Sequence, residues 1–287
     1  MKTINYEEVR HMPRLNLNSK EINEALYRYD NVHVSLNDPE QFTDEKIHEY
    51  WQQGFISINN VLNQSEVAQS IEAIMHLGMV DSNGAKLQFV KPESELKTTE
   101  ERELGLRKIH EFVKVEERLH QIAYHPAIIS TISKIFGEEP KLIQDMALLK
   151  PPHGGGEKPW HQDMAYGNLT YTKAAIGVWI ALDEATVDNG CMHVIPGSHQ
   201  EGATPHYAIR DWQLCDSQVP VERDVVVPLE SGGAIFFHGM LYHGTPSNFS
   251  HMRRRALQFH YAPASAERVG PKEYKRMFTN ELTGAEC

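Results

Sequence analysis

The residues best suited to chemistry are Trp160-His161-Gln162-Asp163, answered much later in the chain by Tyr242-His243-Gly244-Thr245. Along an extended strand successive side chains alternate faces, so His161 and Asp163 point one way and Gln162 the other. An imidazole and a carboxylate on one face, joined by a second imidazole from a distant strand, form a two-His-one-carboxylate set. Such a set leaves positions open on an iron(II) ion for a cosubstrate and oxygen. His243 is the candidate third ligand. In a chain with 16 histidines the bare His-x-Asp tripeptide carries little weight, so the surroundings must support it. His193 and His199 stand at no ligand spacing with His161 and are read as structural or substrate-proximal. His238 would fall on the opposite face of a continuous strand from His243 and ranks below it.

The elements that must position these groups read mainly as strands. From Arg253 to Tyr261 the pattern alternates. Leu257, Phe259 and Tyr261 suit packing against helices, whereas Arg254, Ala256, Gln258 and His260 suit a wet pocket. Arg254 is thereby aimed at the pocket, where a planar guanidinium grips a carboxylate in a two-point fork. A second strand, Ala174 to Asp183, is bulky on one face through Ile176, Val178, Ile180 and Leu182. On its other face Ala175, Gly177 and Ala181 leave room beside the indole of Trp179, which either walls a ligand or fills core. Leu142 to Leu149 reads as a strand stopped by Pro151-Pro152, and Met146 within it reads by default as core packing. Gly105 to Phe112 is compatible with a strand or a helix start; Lys108 there reads, taken alone, as a solvated charge. His153-Gly154-Gly155-Gly156 lacks the Lys-Ser or Lys-Thr of a phosphate loop and is a link into the metal strand. Val225 to Pro228 and Gly233 to Gly239 are further strand-like runs. Helices are expected from Ser19 to Tyr29 with Asn18 and Glu21 as a capping pair, from Asp44 to Trp51, from Ser65 to Leu77 behind Asn63 and Glu66, from Pro126 to Phe136 and around Pro271 to Phe278. Lys91 to Glu103 is charged and irregular and reads as a mobile loop near the pocket mouth. Residues 199 to 223 show no strong pattern and read as a long connection that shapes substrate choice.

An ordered series of motifs gives the chain a family likeness. Lys150-Pro151-Pro152, Trp160-His161-Gln162-Asp163, Gly177 to Leu182, Asn189-Gly190-Cys191 through Ile195-Pro196-Gly197-Ser198-His199, and His243-Gly244-Thr245 followed by Asn248 and Arg254 resemble the phytanoyl-CoA dioxygenase family of iron(II)- and 2-oxoglutarate-dependent oxygenases. The likeness spans Phe42 to Pro263. It implies a mostly β fold with flanking helices: a double-stranded β-helix, of the jelly-roll or cupin-like barrel type, with helices covering the major sheet. It further implies iron(II) on His161, Asp163 and His243, and 2-oxoglutarate held by Arg254 with Lys108, Trp179, Thr245 and Met146 around it. The reaction implied uses O2 to hydroxylate an aliphatic C–H bond of a small molecule and releases succinate and CO2. Because Asp163 is present, the related halogenating chemistry, which needs that position free of a carboxylate, is disfavoured. The rival readings are a zinc or other metal-dependent cupin-type hydrolase or isomerase that does not use O2, and a non-catalytic jelly-roll binding module.

Length and composition bound these readings. The 287 residues are expected to form an N-terminal extension, 1–40, and a single oxygenase domain, 41–287. With 40% hydrophobic and 23% charged residues the chain can bury a sizeable core. A net charge of -11 argues against nucleic acid as a partner. Cys191, Cys215 and Cys287 are odd in number and show no metal spacing, which fits a reducing compartment. The start, Met1 to Glu8, has no apolar signal core, and no run suits a bilayer; Ala285-Glu286-Cys287 is not a peroxisomal address. The expectation is a cytoplasmic enzyme, monomer or homodimer, with a small-molecule substrate and no membrane partner.

Overall fold

A computed structural model describes residues 18–281 together with 284, 286 and 287. Its strands, in chain order, are β1 (Phe55–Ile58), β2 (Lys86–Phe89), β3 (Leu106–His110), β4 (Pro140–Lys150), β5 (Lys158–His161), β6 (Ile176–Ala181), β7 (Met192–Val194), β8 (Tyr207–Ala208), β9 (Trp212–Gln213), β10 (Val225–Val227), β11 (Ala234–His238), β12 (His243–Thr245) and β13 (Arg254–Pro263). The major sheet has seven strands in the order β1-β11-β6-β13-β4-β3-β2, and the minor sheet has four in the order β10-β7-β12-β5. All named pairings within them are antiparallel. The expected double-stranded β-helix is thus present as two facing sheets, not as a closed cylinder.

Alternation decides which side of each strand meets which layer. Ile176, Val178 and Ile180 on β6, with Leu257, Phe259 and Tyr261 on β13, lie in one buried cluster with Ile74, Leu77, Ile128 and Ile132 of the covering helices Gln64–Met79 and Pro126–Phe136. The opposite faces, with Trp179, Ala181 and Ala256, pack into the space between the sheets together with Met192, Val194 and Phe237. Gly177 has a steric reason to lack a side chain: a Cβ there would lie 2.4 Å from the Phe237 ring.

Several local signals appear as read. Asn18 with Glu21, and Asn63 with Glu66, form reciprocal caps of the helices Ser19–Leu26 and Gln64–Met79. Gly137 ends Pro126–Phe136 in the left-handed conformation. The stretch 91–103 is different from expectation. Its second half enters a helix, Thr99–Gly105, started by a capping box between Thr98 and Glu101, and Arg253 is ion-paired to Glu103 on it. The run of charges hid a short capped helix because charged side chains serve equally well on a solvated helical face. The cysteines also depart from the reduced reading: Cys215 and Cys287 form a disulfide, leaving Cys191 as the buried free thiol. A pairing across 72 positions has no local sequence signal.

Of the N-terminal extension, residues 1–17 lie outside the described part. Residues 18–36 run along the outer side of the sandwich. Tyr27 stacks on Trp160 at 5.3 Å, His33 N–H donates to Val226 O at 2.8 Å, and Leu36 N–H donates to Ser57 O at 2.9 Å. The buried Asn23 amide accepts from Ser247 N at 3.0 Å and donates to Ser247 O at 3.2 Å, tying this arm to the segment that follows His243. Replacing Asn23 by Ala strands two buried backbone groups, so Asn23→Ala should lower unfolding stability by about 1–3 kcal/mol. Urea denaturation measures this; an unchanged midpoint would show that the arm contributes nothing to stability.

Candidate metal and cosubstrate site

The site starts from the register of two short strands. β12 pairs with β5 so that His243 is the cross-strand partner of His161, and the two rings lie 4.1 Å apart between centroids. The register slips between His243 and Thr245, where Thr245 meets Lys158. Pro159, which has no N–H to give to a ladder, sits in that slip, opposite Gly244, whose absent Cβ would approach Trp160 N at 3.3 Å and Lys158 O at 3.2 Å. β5 ends at His161, and Asp163 opens a 3-10 turn through Ala165. The strand is therefore shorter than expected, yet the intervening Gln162 is extended and Asp163 stays on the side of His161.

One donor atom from each of His161, Asp163 and His243 can be chosen so that all lie within 4.8 Å of one another, the only such group among the described residues. Asp163 Oδ1 is 3.3 Å from His161 Nε2 and 3.6 Å from His243 Nε2. Each imidazole engages a carbonyl two residues back through Nδ1, His161 to Pro159 O at 2.8 Å and His243 to Leu241 O at 3.0 Å. That assigns the proton to Nδ1 and turns the Nε2 lone pair toward the shared centre. Burial, reinforced by His243 and Lys158, pulls His161 down to about 3, so its ring is neutral at physiological pH. Burial alone would raise the Asp163 carboxyl, but the imidazoles of His260 and His243 and hydrogen bonds outweigh it and keep the group ionised. Two imidazole nitrogens and one carboxylate oxygen are a donor set that suits a divalent metal. Donors about 2.1 Å from a metal lie about 3 Å apart in octahedral and 3.4 Å in tetrahedral geometry, so these separations fit a first-row ion without choosing between iron and zinc.

The outward face of the same segment is fastened. Gln162 donates to Gly202 O and Met240 O, both at 2.8 Å, and accepts from Thr204 N at 2.9 Å, while its backbone N–H donates to His206 Nε2 at 2.9 Å. Leu214 N–H donates to Trp160 O at 2.8 Å, and Lys158 pairs with Asp211 at 2.7 Å. The long connection after His199, read as patternless, supplies all of these partners except Met240, and the β8–β9 hairpin within it carries Asp211. His206 and Asp211 were missed because their partners are backbone groups and a distant lysine. His193 is elsewhere, in a fully buried pair with Asp224 at 2.9 Å, and His199 and His238 face each other at 4.9 Å outside the triad.

A cavity of about 290 Å³ opens in front of the triad. Lys108, Met146, Trp179, Thr245 and Arg254 all line it, together with Arg107, Lys150, Gln258 and His260. A larger open cleft of about 1000 Å³ lies beyond His110 and Gln144, which border both spaces; among the described residues it contains no cluster of metal donors. Arg254 is 2% exposed. Its guanidinium lies over Trp179 at 5.0 Å from the ring centroid, and its Nε and Nη1 have no hydrogen-bond partner among the described residues. Burial pulls Arg254 down to about 10 and Lys108, next to Lys158 and Arg107, down to about 8. The equally buried Lys150 is occupied with the carbonyl oxygens of Thr245 and Pro246. Gln258 and His260 reach across to Asp163 at 3.2 Å and 2.7 Å. Alternation placed both on the pocket face, but no sequence signal named the carboxylate as their partner.

Two facing antiparallel sheets, helices behind the larger one and an inward His-Asp-His cluster define a double-stranded β-helix protein with a metal-binding geometry. The chain belongs to the phytanoyl-CoA dioxygenase family: the family model described as Phytanoyl-CoA dioxygenase (PhyH) matches residues 50–256. It is 29% identical over 192 residues to phytanoyl-CoA dioxygenase domain-containing protein 1 of Danio rerio, covering 64% of this chain and 62% of that protein. The matched part thus spans about three fifths of that relative. Among solved structures, EvdO2 of Micromonospora carbonacea var. aurantiaca complexed with 2-oxoglutarate is similar with a TM-score of 0.62 and 25% identity, covering 81% of this chain and 96% of that one. SnoN, the epimerase of nogalamycin biosynthesis in complex with Fe3+, alpha ketoglutarate and nogalamycin RO, has a TM-score of 0.64 and 22% identity, covering 87% and 93%.

Arg254 gives the site a measurable energetic signature. A buried guanidinium lacking an anion destabilises the ligand-free protein, and apolar replacement of buried charge typically relieves about 1–4 kcal/mol. Arg254→Met should therefore raise the urea midpoint of the ligand-free protein; a lower midpoint would mean that the cation is already compensated within the fold.

Proposed function

We propose that the protein is an iron(II)- and 2-oxoglutarate-dependent dioxygenase that hydroxylates an aliphatic C–H bond of a small molecule. The observation that carries this is Arg254: a buried guanidinium with unpartnered N–H groups in the same cavity as an open His-Asp-His set. A zinc hydrolase would use the triad equally well but leaves that cation without a purpose. EvdO2 and SnoN, whose structures contain 2-oxoglutarate or its iron complex, lend the reading support.

His161, Asp163 and His243 would hold the metal. Arg254 binds the far carboxylate of the cosubstrate through its free N–H groups, and the Thr245 hydroxyl donates to the same carboxylate. Lys108 supplies a second positive charge to the cosubstrate, Trp179 gives a flat wall, and Met146 with Leu148 and Met192 excludes water from the apolar side. Bound there, iron(II) with 2-oxoglutarate and O2 supplies oxidative decarboxylation and the oxidising power for hydroxylation, releasing succinate and CO2. A cavity of about 290 Å³ suits a cosubstrate and the reacting part of a small molecule. Among the described residues no helix is long and apolar enough to cross a membrane.

Anaerobic addition of iron(II) and 2-oxoglutarate to the metal-free protein should produce a metal-to-ligand absorption band, and O2 should then yield succinate. Absence of the band with both present sinks the oxygenase reading and favours zinc. Arg254→Met should weaken 2-oxoglutarate binding by about 30-fold or more, as loss of a buried charge partner does.

Lys108 predicts a pH dependence. The free pocket loses the Lys108 proton near pH 8, and a dianion binds the protonated form. Cosubstrate affinity should therefore be level below pH 8 and weaken above it, by up to about tenfold per pH unit. In Lys108→Met the affinity should be lower and level across that range. A wild-type affinity unchanged up to pH 10 would remove Lys108 from the site.

A further inference from the structure

The two oxygens of Asp163 have different surroundings. Oδ1 faces the imidazoles of His161 and His243, while Oδ2 is turned away and receives His260 Nε2 at 2.7 Å and Gln258 Nε2 at 3.2 Å. Both donors stand on β13 in the major sheet, whereas the ligand candidates come from β5, the turn after it and β12 on the minor sheet. The contact therefore crosses the sandwich. We propose that His260, seconded by Gln258, is a positioning residue that occupies the outer oxygen of Asp163 and so limits this carboxylate to a single bond with the metal. The inference rests on the iron and 2-oxoglutarate reading above.

Coordination numbers supply the reason. A carboxylate can ligate through one oxygen or both. Three single protein bonds on a six-coordinate ion leave three positions, two for the cosubstrate and one for O2. If Asp163 used both oxygens, it would take a fourth position, and the cosubstrate would fill the last two. Holding Oδ2 elsewhere is thus a condition for oxygen to reach the metal at all.

The brace is built to hold its place. His260 is 1% exposed and Gln258 6%, and β13 is hydrogen-bonded on both sides, with His260 opposite Gln144 of β4 and Gly177 of β6. With no side chain at Gly177, the space there belongs to the Phe237 ring, which in turn packs against His243 at 4.6 Å. The proton of His260 is assigned to Nε2 because that nitrogen faces the carboxylate; Nδ1 has no partner among the described residues. An imidazole N–H and a primary amide N–H both donate to one anionic oxygen, which strengthens each bond in a water-poor interior.

Cobalt(II) titration of the metal-free protein, followed by visible absorption, tests this without turnover. His260→Leu should weaken cobalt binding by roughly 10–100-fold, the usual cost of losing a group that orients a ligand, and should alter the d–d band as the carboxylate gains a second bond. His260→Gln, which keeps an N–H donor, should restore most of the affinity and the wild-type band. Gln258→Leu should show a smaller loss in the same direction, and it decides the matter if His260→Leu does not fold, as judged by near-UV circular dichroism. Folded His260→Leu or Gln258→Leu with wild-type affinity and an unaltered band overturns the inference while leaving the metal site intact. Wild-type protein that takes up no cobalt overturns the metal reading, and this inference with it.

Discussion

The register in which β12 meets β5 is the constraint on which the site depends. His243 stands directly opposite His161, and a slip of one residue would send one imidazole to the far side of the minor sheet. Two short strands cannot hold a register unaided. β12 is therefore gripped on its other edge by β7 through Val194 and His193, and β5 is fixed from outside by Leu214, by the Gln162 amide and by Tyr27 against Trp160. The outer arm and the connection after His199 look peripheral in the chain, yet they keep the two histidines face to face.

Strand β13 does the complementary work from the other sheet. Its pocket-facing members fall at every second position, so Arg254, Gln258 and His260 project from one strand that pairs with β4 from Arg254 onward and with β6 from Ala256 to Tyr261. The spacing between Arg254 and the two side chains that reach Asp163 is then a property of a single backbone segment. Few loop movements could change it. The opposite face of β13, with Leu257, Phe259 and Tyr261 against the helices, anchors that strand in the larger core.

The parts of the fold that were legible in the sequence are those in which local pattern and final environment agree. The alternation of β6 and β13 and the caps at Asn18 and Asn63 follow from rules acting within a few residues, whereas the His-x-Asp strand stops at His161 and Asp163 opens a turn. That Trp179 lies between the sheets beside Arg254 follows from the same alternation. What stayed hidden depends on long-range pairing: Cys215 with Cys287, His260 with Asp163, and His206 with the backbone of Gln162. The helix Thr99–Gly105 was obscured for another reason. Its Glu-rich sequence is as natural to a loop as to an exposed helical face, and only the Thr98–Glu101 box distinguishes them.

The electrostatics of the cavity run against those of the whole chain. A protein with a net charge of -11 lines this space with Arg107, Lys108, Lys150, Lys158 and Arg254, against the acids Glu157 and Asp163. Glu157 is already engaged by Arg210 and Tyr27, Lys158 and Arg107 by Asp211, and Lys150 by the carbonyls of Thr245 and Pro246. Arg254 and Lys108 remain, held below their ordinary values first of all by burial. Desolvating a cation is costly unless an anion shares the space, and among the described residues no side chain completes either group in the way Asp183 completes Arg255. The described residues leave room for a compensating anion that is small enough for the cavity and long enough to reach from Arg254 toward the triad. A dicarboxylic acid that also ligates the metal, the cosubstrate proposed above, meets both conditions and would relieve this unmet charge on binding.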